Sequence, residues 1–346
     1  MNKEFLYEML KTCSVSGHEE ELQKKVICYM NEYADEVLTD FTGNVISVLN
    51  PLSETKVLLS GHIDEIGFIV TCVQSDGSLK VTNAGGVRPV LYLGTQVQIK
   101  TKKGYVNGVV ITNSSLIKRN DLSCEDLTID IGASSKEEAL KVVSVGDAVC
   151  AKTDVLPLLN HRLAARAMDD RIGAFIVTEA LIKAKEKGCQ TGVYAATTAG
   201  EETSMRGAYW AASKVKPTCA IAVDVTFTSD YDGVHGTSSG EIELGKGPVL
   251  CHSSIVNKKM NALLEACAQD LNIPLQYEIA PGRTGTDADK IHFTNEGVPT
   301  ALVSIPLRYM HSSIETLDLN DVQQIIDLLA EFVCRISAET DLNPLH

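Results

Sequence analysis

The chain has 346 residues, 44% of them hydrophobic, and a formal charge of −14 at pH 7. An acidic chain with no basic stripe and no interleaved aromatics does not suit a nucleic-acid ligand, and a mean hydropathy near zero with no run of about 18 apolar residues leaves no candidate membrane helix. Ten cysteines are scattered singly without a Cys-x-x-Cys pair, which argues against a zinc ribbon or redox motif and fits small buried thiols in a reducing compartment, the cytoplasm.

Met1-Asn2-Lys3-Glu4 opens directly into a helical pattern, without a signal peptide. Helices are predicted over 4–11 and 18–33, with Ser16 and Glu19 spaced as a capping box for the second. Strands are predicted over 37–49 and 56–60. From residue 67 the texture changes to short strand-like runs broken by glycine, at 67–73, 79–81, 95–100, 105–111, 128–130 and 147–151. That spacing suggests a small barrel or sandwich, with a helix start at 134–138. From 160 onward helices and apolar strands alternate, as in a mostly parallel sheet, and the Gly-rich stretch 229–247 reads as a long loop. The expected fold is therefore α/β, a mostly parallel sheet flanked by helices, with a small β-rich barrel inserted. The chain on either side, 1–66 plus 156–346, then forms one discontinuous domain interrupted by the insertion, 67–155.

Five short segments carry the chemistry. They contain His62 and Asp64, Asp169 and Asp170, Glu201 and Glu202, Asp224, and His311. Most sit where an apolar run stops, and in open α/β sheets ligands bind at the carboxyl ends of strands. His62 and Asp64 are two apart on an extended chain and share a side, so Asp64 can support the ring nitrogen of His62 that does not bind a metal. Asp169-Asp170 stands before an apolar helix. Carboxylates there commonly complement the helix dipole, but one can also bridge two cations. Adjacent glutamates at a buried strand end need positive charge; with it, one can bind a metal while its neighbour takes a proton from water. Asp224, inside an apolar strand, also needs a partner. His311 alone would be a structural histidine; the joint pattern makes it a ligand candidate.

Further segments extend the pattern: Ser16-Gly17-His18-Glu19, Gly-His-Ile-Asp-Glu-Ile-Gly at 61–67, Met168 to Gly173, Glu201-Glu202 with Arg206-Gly207-Ala208, Gly285-Thr286-Asp287-Ala288, and Arg308 to Ser312. In this order along nearly the whole chain they resemble the dinuclear metallo-aminopeptidases that assemble into tetrahedral (TET) particles, a group including glutamyl, leucyl, lysyl and deblocking aminopeptidases. The resemblance implies a zinc-peptidase-like catalytic domain with two divalent cations per subunit, zinc or cobalt, with manganese also suited to a mixed His and carboxylate set. It implies His62 and Asp224 on one ion, Glu202 and His311 on the other, Asp169 bridging them, Glu201 as general base and Asp64 orienting His62. It further implies short peptides as substrates, catalysis by the discontinuous domain 1–66 plus 156–346, and self-association, with the β-rich insertion 67–155 serving dimerisation or assembly and a dodecamer expected. Thr203-Ser204 stands where the family usually has Val-Gly, and 113–116 replaces its Pro-Pro-His segment, so close transfer of substrate preference does not follow.

Two other enzyme readings compete. A two-metal N-acyl-amino-acid deacylase or carboxypeptidase would use the same ions, but its extra domain follows the glutamate pair. A glycosidase, a cellulase-type label sometimes attached to such sequences, needs two carboxyls without metal and leaves the histidines unexplained. A non-enzymatic scaffold would not need a complete donor set. The Asp169–Asp170 peptide is expected to be cis.

Overall fold

The computed structural model describes residues 1–236 and 239–346. Helices α1 (Lys3–Lys11) and α2 (Glu20–Met30) lead into strands β1 (Glu36–Thr39), β2 (Val45–Leu49) and β3 (Lys56–His62). Six strands follow: β4 (Gly67–Val73), β5 (Leu79–Ala84), β6 (Gln96–Thr101), β7 (Gly104–Val110), β8 (Thr128–Asp130) and β9 (Ala148–Ala151), with one-turn helices α3 (Ser114–Ile117) and α4 (Lys136–Ala139) before and after β8. The chain then forms β10 (Leu156–Pro157), β11 (Arg162–Ala165), α5 (Met168–Glu186), β12 (Gly192–Thr198), α6 (Glu201–Ser204), α7 (Arg206–Val215) and β13 (Cys219–Phe227). It finishes with β14 (Val249–Ser253), α8 (Lys258–Leu271), β15 (Gln276–Ala280), α9 (Ala288–Ile291), β16 (Thr300–Leu307), β17 (Glu315–Asp318) and α10 (Leu319–Arg335).

Eight strands form one sheet in the order β1-β2-β12-β3-β13-β16-β14-β15. Its centre, β12-β3-β13-β16, is parallel. The flanks are antiparallel where β2 meets β12 and β14 meets β16, so the sheet is mixed with a parallel heart. Alternation along β3 shows why it is covered on both faces. Val57 and Leu59 pack with Ile172, Phe175 and Ile176 of α5, whereas Leu58 packs with Ala208 and Ala211 of α7; successive strand residues point to opposite faces. Helix α10 encloses α5 from outside through Val322, Ile325, Ile326, Leu329 and Val333, an i, i+3, i+4 stripe. That makes α5 apolar nearly all round.

The close approach of α5 to β3 depends on Gly61. A Cβ there would lie 2.4 Å from the carbonyl carbon of Gly173 and 2.5 Å from the Ala174 nitrogen, and neither backbone atom can swing aside. Gly61→Ala is expected to destabilise by at least about 1–3 kcal/mol, the usual cost of overpacking a core. A urea midpoint equal to that of the unsubstituted chain would contradict it.

The six strands from β4 to β9 close into a barrel, β4-β5-β8-β7-β6-β9, around Phe68, Val70, Leu79, Val97, Ile99 and Ile129. Their alternation was strong enough in the sequence for each strand to be found within a few residues. Helix α4 also begins where expected, with the Ser135 side chain accepting the Glu138 N–H. Between β13 and β14 the described residues form no helix or strand, in keeping with the loop read from 229–247; Thr237 and Ser238 lie outside the described residues.

The capping box does not form. Helix α2 starts at Glu20, with no side-chain cap. Val15 makes a β-bridge to Glu65 and Gly17 turns the chain at φ +90°. The Ser16 hydroxyl instead meets the Thr203 hydroxyl at 3.0 Å, and Glu19 accepts the Gly17 N–H at 2.8 Å. A local cap signal lost to a tertiary bridge.

Candidate active site

Parallel pairing puts the C-terminal ends of the central strands on one edge of the sheet, which is why residues far apart in sequence meet there. In register, Thr198 of β12 lies beside His62 of β3, and Asp224 of β13 lies beside Ser304 of β16. Beyond β12 the chain turns through Gly200 at φ +70°, where a Cβ would collide with the Arg206 guanidinium, and so delivers Glu201 and Glu202 to the same edge. Asp169 and Asp170 open α5 in non-helical conformation, and the peptide between them is cis. His311 has φ +61°, an uncommon geometry for a non-glycine residue that turns its ring back over the strand ends.

The carboxylate of Asp169 lies between the two imidazoles. One of its oxygens is 3.2 Å from His62 Nε2, and the other is 3.1 Å from His311 Nε2. Donor atoms of His62, Asp169 and Asp224 lie within 4.8 Å of one another, as do those of Asp169, Glu202 and His311. Two three-residue groups thus share Asp169, and each is compact enough to surround one cation. Glu201 belongs to neither group; its carboxylate approaches His62 Nε2 only to 3.8 Å.

His62 is oriented from behind. Its Nδ1 lies 3.1 Å from the Asp64 carbonyl oxygen and 3.5 Å from the Asp64 carboxylate. Because a carbonyl only accepts, Nδ1 carries a hydrogen, which leaves Nε2, on the cavity side, as the nitrogen whose lone pair a cation could take in place of a proton. The expected support from Asp64 therefore comes from its backbone as well as its side chain. The Asp64 carboxylate is also occupied elsewhere: it accepts the N–H groups of Glu201 at 3.0 Å and Glu202 at 3.2 Å, so it holds the glutamate turn in place.

Three further carboxylates position this cluster, and the sequence did not single out their roles. Asp170 accepts the N–H of His62 and of Gly173, each at 3.1 Å. Glu315 accepts from Asp169 N at 3.1 Å and His311 N at 2.9 Å. Asp287 accepts the hydroxyls of Ser60 at 3.0 Å and Thr198 at 2.6 Å. Asp287 lies within a segment that carried the resemblance; Glu315, in a short edge strand, gave no signal beyond being an acid among apolar residues. From the barrel side, Gly86 packs so closely that a Cβ would lie 2.7 Å from His311 Nδ1.

A third compact group, Cys13, Glu65 and Cys150, has a different character. Glu65 is ion-paired with both Arg166 and Arg171, so a cation there would face two guanidinium groups.

So many buried acids cannot all be ionised without compensating charge. Burial raises Glu201 to about 10 and Asp224 to about 8, and nearby carboxylates add to both shifts. Glu202 is pushed well above its ordinary range, chiefly by burial and then by Asp169. Burial opposes charge on His62, yet Asp169 and Asp64 raise it well above 6.5, and Asp169 raises His311. Glu201 and Glu202 each also bury an oxygen that has no hydrogen-bond partner. Protons on the two imidazoles lie where positive charge is required, and the two glutamates that each leave a buried oxygen unpartnered line the same cavity. The donor set therefore fits divalent cations.

This charge pattern has a sign. Glu201, Asp224, His62 and His311 are all held above the values of an unfolded chain, so each favours the fold at low pH and withdraws that support as pH rises. Asp64 and Asp169 are held below their ordinary value, despite burial, by the histidines; their contribution is complete above about pH 4 and constant from there. Without cations the protein is therefore expected to lose stability between pH 6 and pH 9. Thermal unfolding in chelator at both values is the check, and a melting temperature equal or higher at pH 9 would contradict the pattern.

Comparison with known proteins agrees along the chain. The M42 glutamyl aminopeptidase family matches residues 43–328. A putative aminopeptidase of Acetivibrio thermocellus is 36% identical over 341 residues, covering 96% of this chain and 100% of that protein. The crystal structure of a TET aminopeptidase from a marine-sediment archaeon of the Thaumarchaeota superposes with a TM-score of 0.91 at 32% identity, covering 97% of each chain. The TET1 peptidase of Pyrococcus horikoshii, described as able to assemble into a tetrahedron or a large octahedral shell, superposes with a TM-score of 0.86 at 29% identity, covering 96% of this chain and 99% of that one. Matched over most of its length in sequence, and sharing both the sheet that carries the carboxylate cluster and the barrel beside it, the chain belongs to the M42 glutamyl aminopeptidase family and is a peptidase.

Proposed function

We propose that this aminopeptidase removes the first residue of short peptides with the help of two divalent cations, zinc or cobalt, with manganese also accommodated by the donor set. His62 and Asp224 would hold one ion and Glu202 and His311 the other, with Asp169 shared between the two groups. The observation that carries this reading is the Asp169 carboxylate, which offers one oxygen to each histidine. Bound there, the cations supply the positive charge that makes a water acidic near neutral pH and that offsets negative charge on the scissile carbonyl oxygen.

The remaining steps belong to the chain. Glu201 takes the proton from the attacking water and returns it to the leaving amine. It can do so only beside positive charge, since burial otherwise raises its carboxyl to about 10. Asp64 keeps the Glu201 and Glu202 amides fixed and His62 in one tautomer. The surplus of carboxylates at the cavity floor suits an incoming α-ammonium group, which would confine cleavage to the amino terminus.

We assign residues 67–155 to assembly and 1–66 with 156–346 to catalysis. The insertion supplies none of the seven donor, base or orienting side chains, and it exposes Val109, Ile117 and Val145, at 46%, 62% and 62% of their surface. A dodecamer whose active sites face an internal cavity would restrict substrates to short unfolded peptides. Free cysteines throughout fit a cytoplasmic setting. A panel of aminoacyl-p-nitroanilides with and without chelator tests the activity. N-acylated analogues must be refused, and chelation must abolish turnover that zinc or cobalt restores. Light scattering tests the assembly: a mass near twelve times the 37.4 kDa subunit is expected, and a monomer cleaving peptides at full rate would refute it.

A further inference from the structure

The cavity above the donor cluster, about 620 Å³, has walls that the reaction does not use, including Phe227, Glu278, Arg283 and Lys290. Arg283 and Lys290 are exposed, where water and salt screen a charge. Glu278 is different. It sits on β15, at the edge of the sheet, where Gln276, Glu278 and Ala280 are partly buried and Tyr277 and Ile279 are exposed. The two-residue period of a strand turns Glu278 inward, towards the cavity that it lines. The other two inward residues have structural partners. Gln276 accepts the Glu243 N–H at 2.8 Å and donates to the Glu243 and Gly247 carbonyls at 3.0 and 2.9 Å, and Ala280 packs on the apolar cluster beneath α7.

Among the described residues Glu278 has no partner of opposite charge. Burial raises its carboxyl above the ordinary range and the Thr226 hydroxyl opposes that, with no lysine or arginine contributing among the described residues. A partly desolvated carboxylate with no counter-charge, facing the space where substrate must lie, gains from any cation brought to it. Phe227, 52% exposed, also lines this cavity and offers apolar surface to the methylene stem of a long basic side chain.

We propose that Glu278 selects the first side chain of the substrate, favouring peptides that begin with lysine or arginine. This rests on the aminopeptidase reading above and narrows it. A basic side chain would extend along Phe227 and donate to the Glu278 carboxylate, whereas an acidic one would meet like charge.

The test compares lysyl, arginyl, leucyl and glutamyl p-nitroanilides on the metal-loaded protein, with lysinamide and leucinamide binding followed by calorimetry as a readout independent of turnover. The expected order is Lys and Arg above Leu, and Leu above Glu. Glu278→Gln is expected to lower the lysine-to-leucine ratio of kcat/KM by about tenfold or more, the scale of a charge-assisted hydrogen bond. The loss should fall mainly in KM, with a matching loss of preferential lysinamide binding. Glu278→Lys should shift the preference to glutamyl substrate. A glutamyl preference in the unsubstituted protein would mean that Arg283 and Lys290 dominate the pocket and would overturn the proposal, as would an unchanged lysine-to-leucine ratio in Glu278→Gln. Failure to hydrolyse any of the four substrates would instead refute the aminopeptidase reading itself, and tighter binding of leucinamide than of lysinamide would overturn the specificity alone.

Discussion

Glu201→Gln is expected to lower kcat by about 10²–10⁴-fold, the usual worth of a general base, while the metal content stays unchanged. The separation of the two effects follows from where Glu201 lies. Its neighbour Glu202 falls within one of the two compact donor groups, and Glu201 falls within neither. The Glu201 amide is held at 3.0 Å by Asp64, so the backbone presents the substituted side chain in the same place. An amide of the same shape keeps the packing but cannot accept a proton. Steady-state kinetics and elemental analysis of the same preparation provide the measurement. A mutant that has lost a metal ion would show that Glu201 is a ligand and that the roles of the adjacent glutamates are reversed.

Glu65→Gln is expected to destabilise the protein by about 3–5 kcal/mol, the cost of breaking a buried ion pair from one side. Arg171 is fully buried and Arg166 nearly so, and both donate to Glu65. Burial alone would raise the Glu65 carboxyl, but the two guanidinium groups hold it below its ordinary range. Each arginine has further partners: Arg171 donates to the carbonyls of Met9 and Leu10 at 3.1 Å and to the Ser14 hydroxyl, and Arg166 to the Lys11 carbonyl at 3.1 Å. Those neutral acceptors remain in the mutant, but the carboxylate that both guanidinium groups meet is gone. Two cations then share a dry site. A fall in melting temperature on the order of 10 °C is expected, and the turn at residues 13–17, which Glu65 ties through the Ser14 N–H at 3.0 Å, should open first in hydrogen exchange. A loss below about 1 kcal/mol would mean that water reaches the arginines and that the cluster is not a keystone between α1, β3 and α5.

Local signals carried much of the architecture. Alternating apolar residues between glycines marked the six barrel strands, because a half-buried strand writes its two faces directly into the sequence. The apolar runs at 56–60, 193–198 and 219–223 marked strands buried on both sides. Helix α2 was misjudged at its start because the spacing of Ser16 and Glu19 describes a cap only if the backbone between them is helical, and the bridge from Val15 to Glu65 prevents that. The direction of the outer strands also escaped, since pairing sense depends on which strands meet and not on either strand alone.

By itself the sequence determined which residues are available for chemistry: His62, Asp64, Asp169, Glu201, Glu202, Asp224 and His311 are the imidazoles and carboxylates set against apolar runs, and residue type with local burial is a one-dimensional property. Tertiary structure alone decided how they combine. Parallel ladders bring strand ends from positions 62, 198 and 224 to one edge, the turn at His311 folds a fourth segment over them, and only then does Asp169 stand between two histidines. The supporting acids Asp170, Asp287 and Glu315 became recognisable at the same stage. Their partners are backbone amides and hydroxyls that every chain possesses, so their roles arise from distance and desolvation, which no linear pattern records.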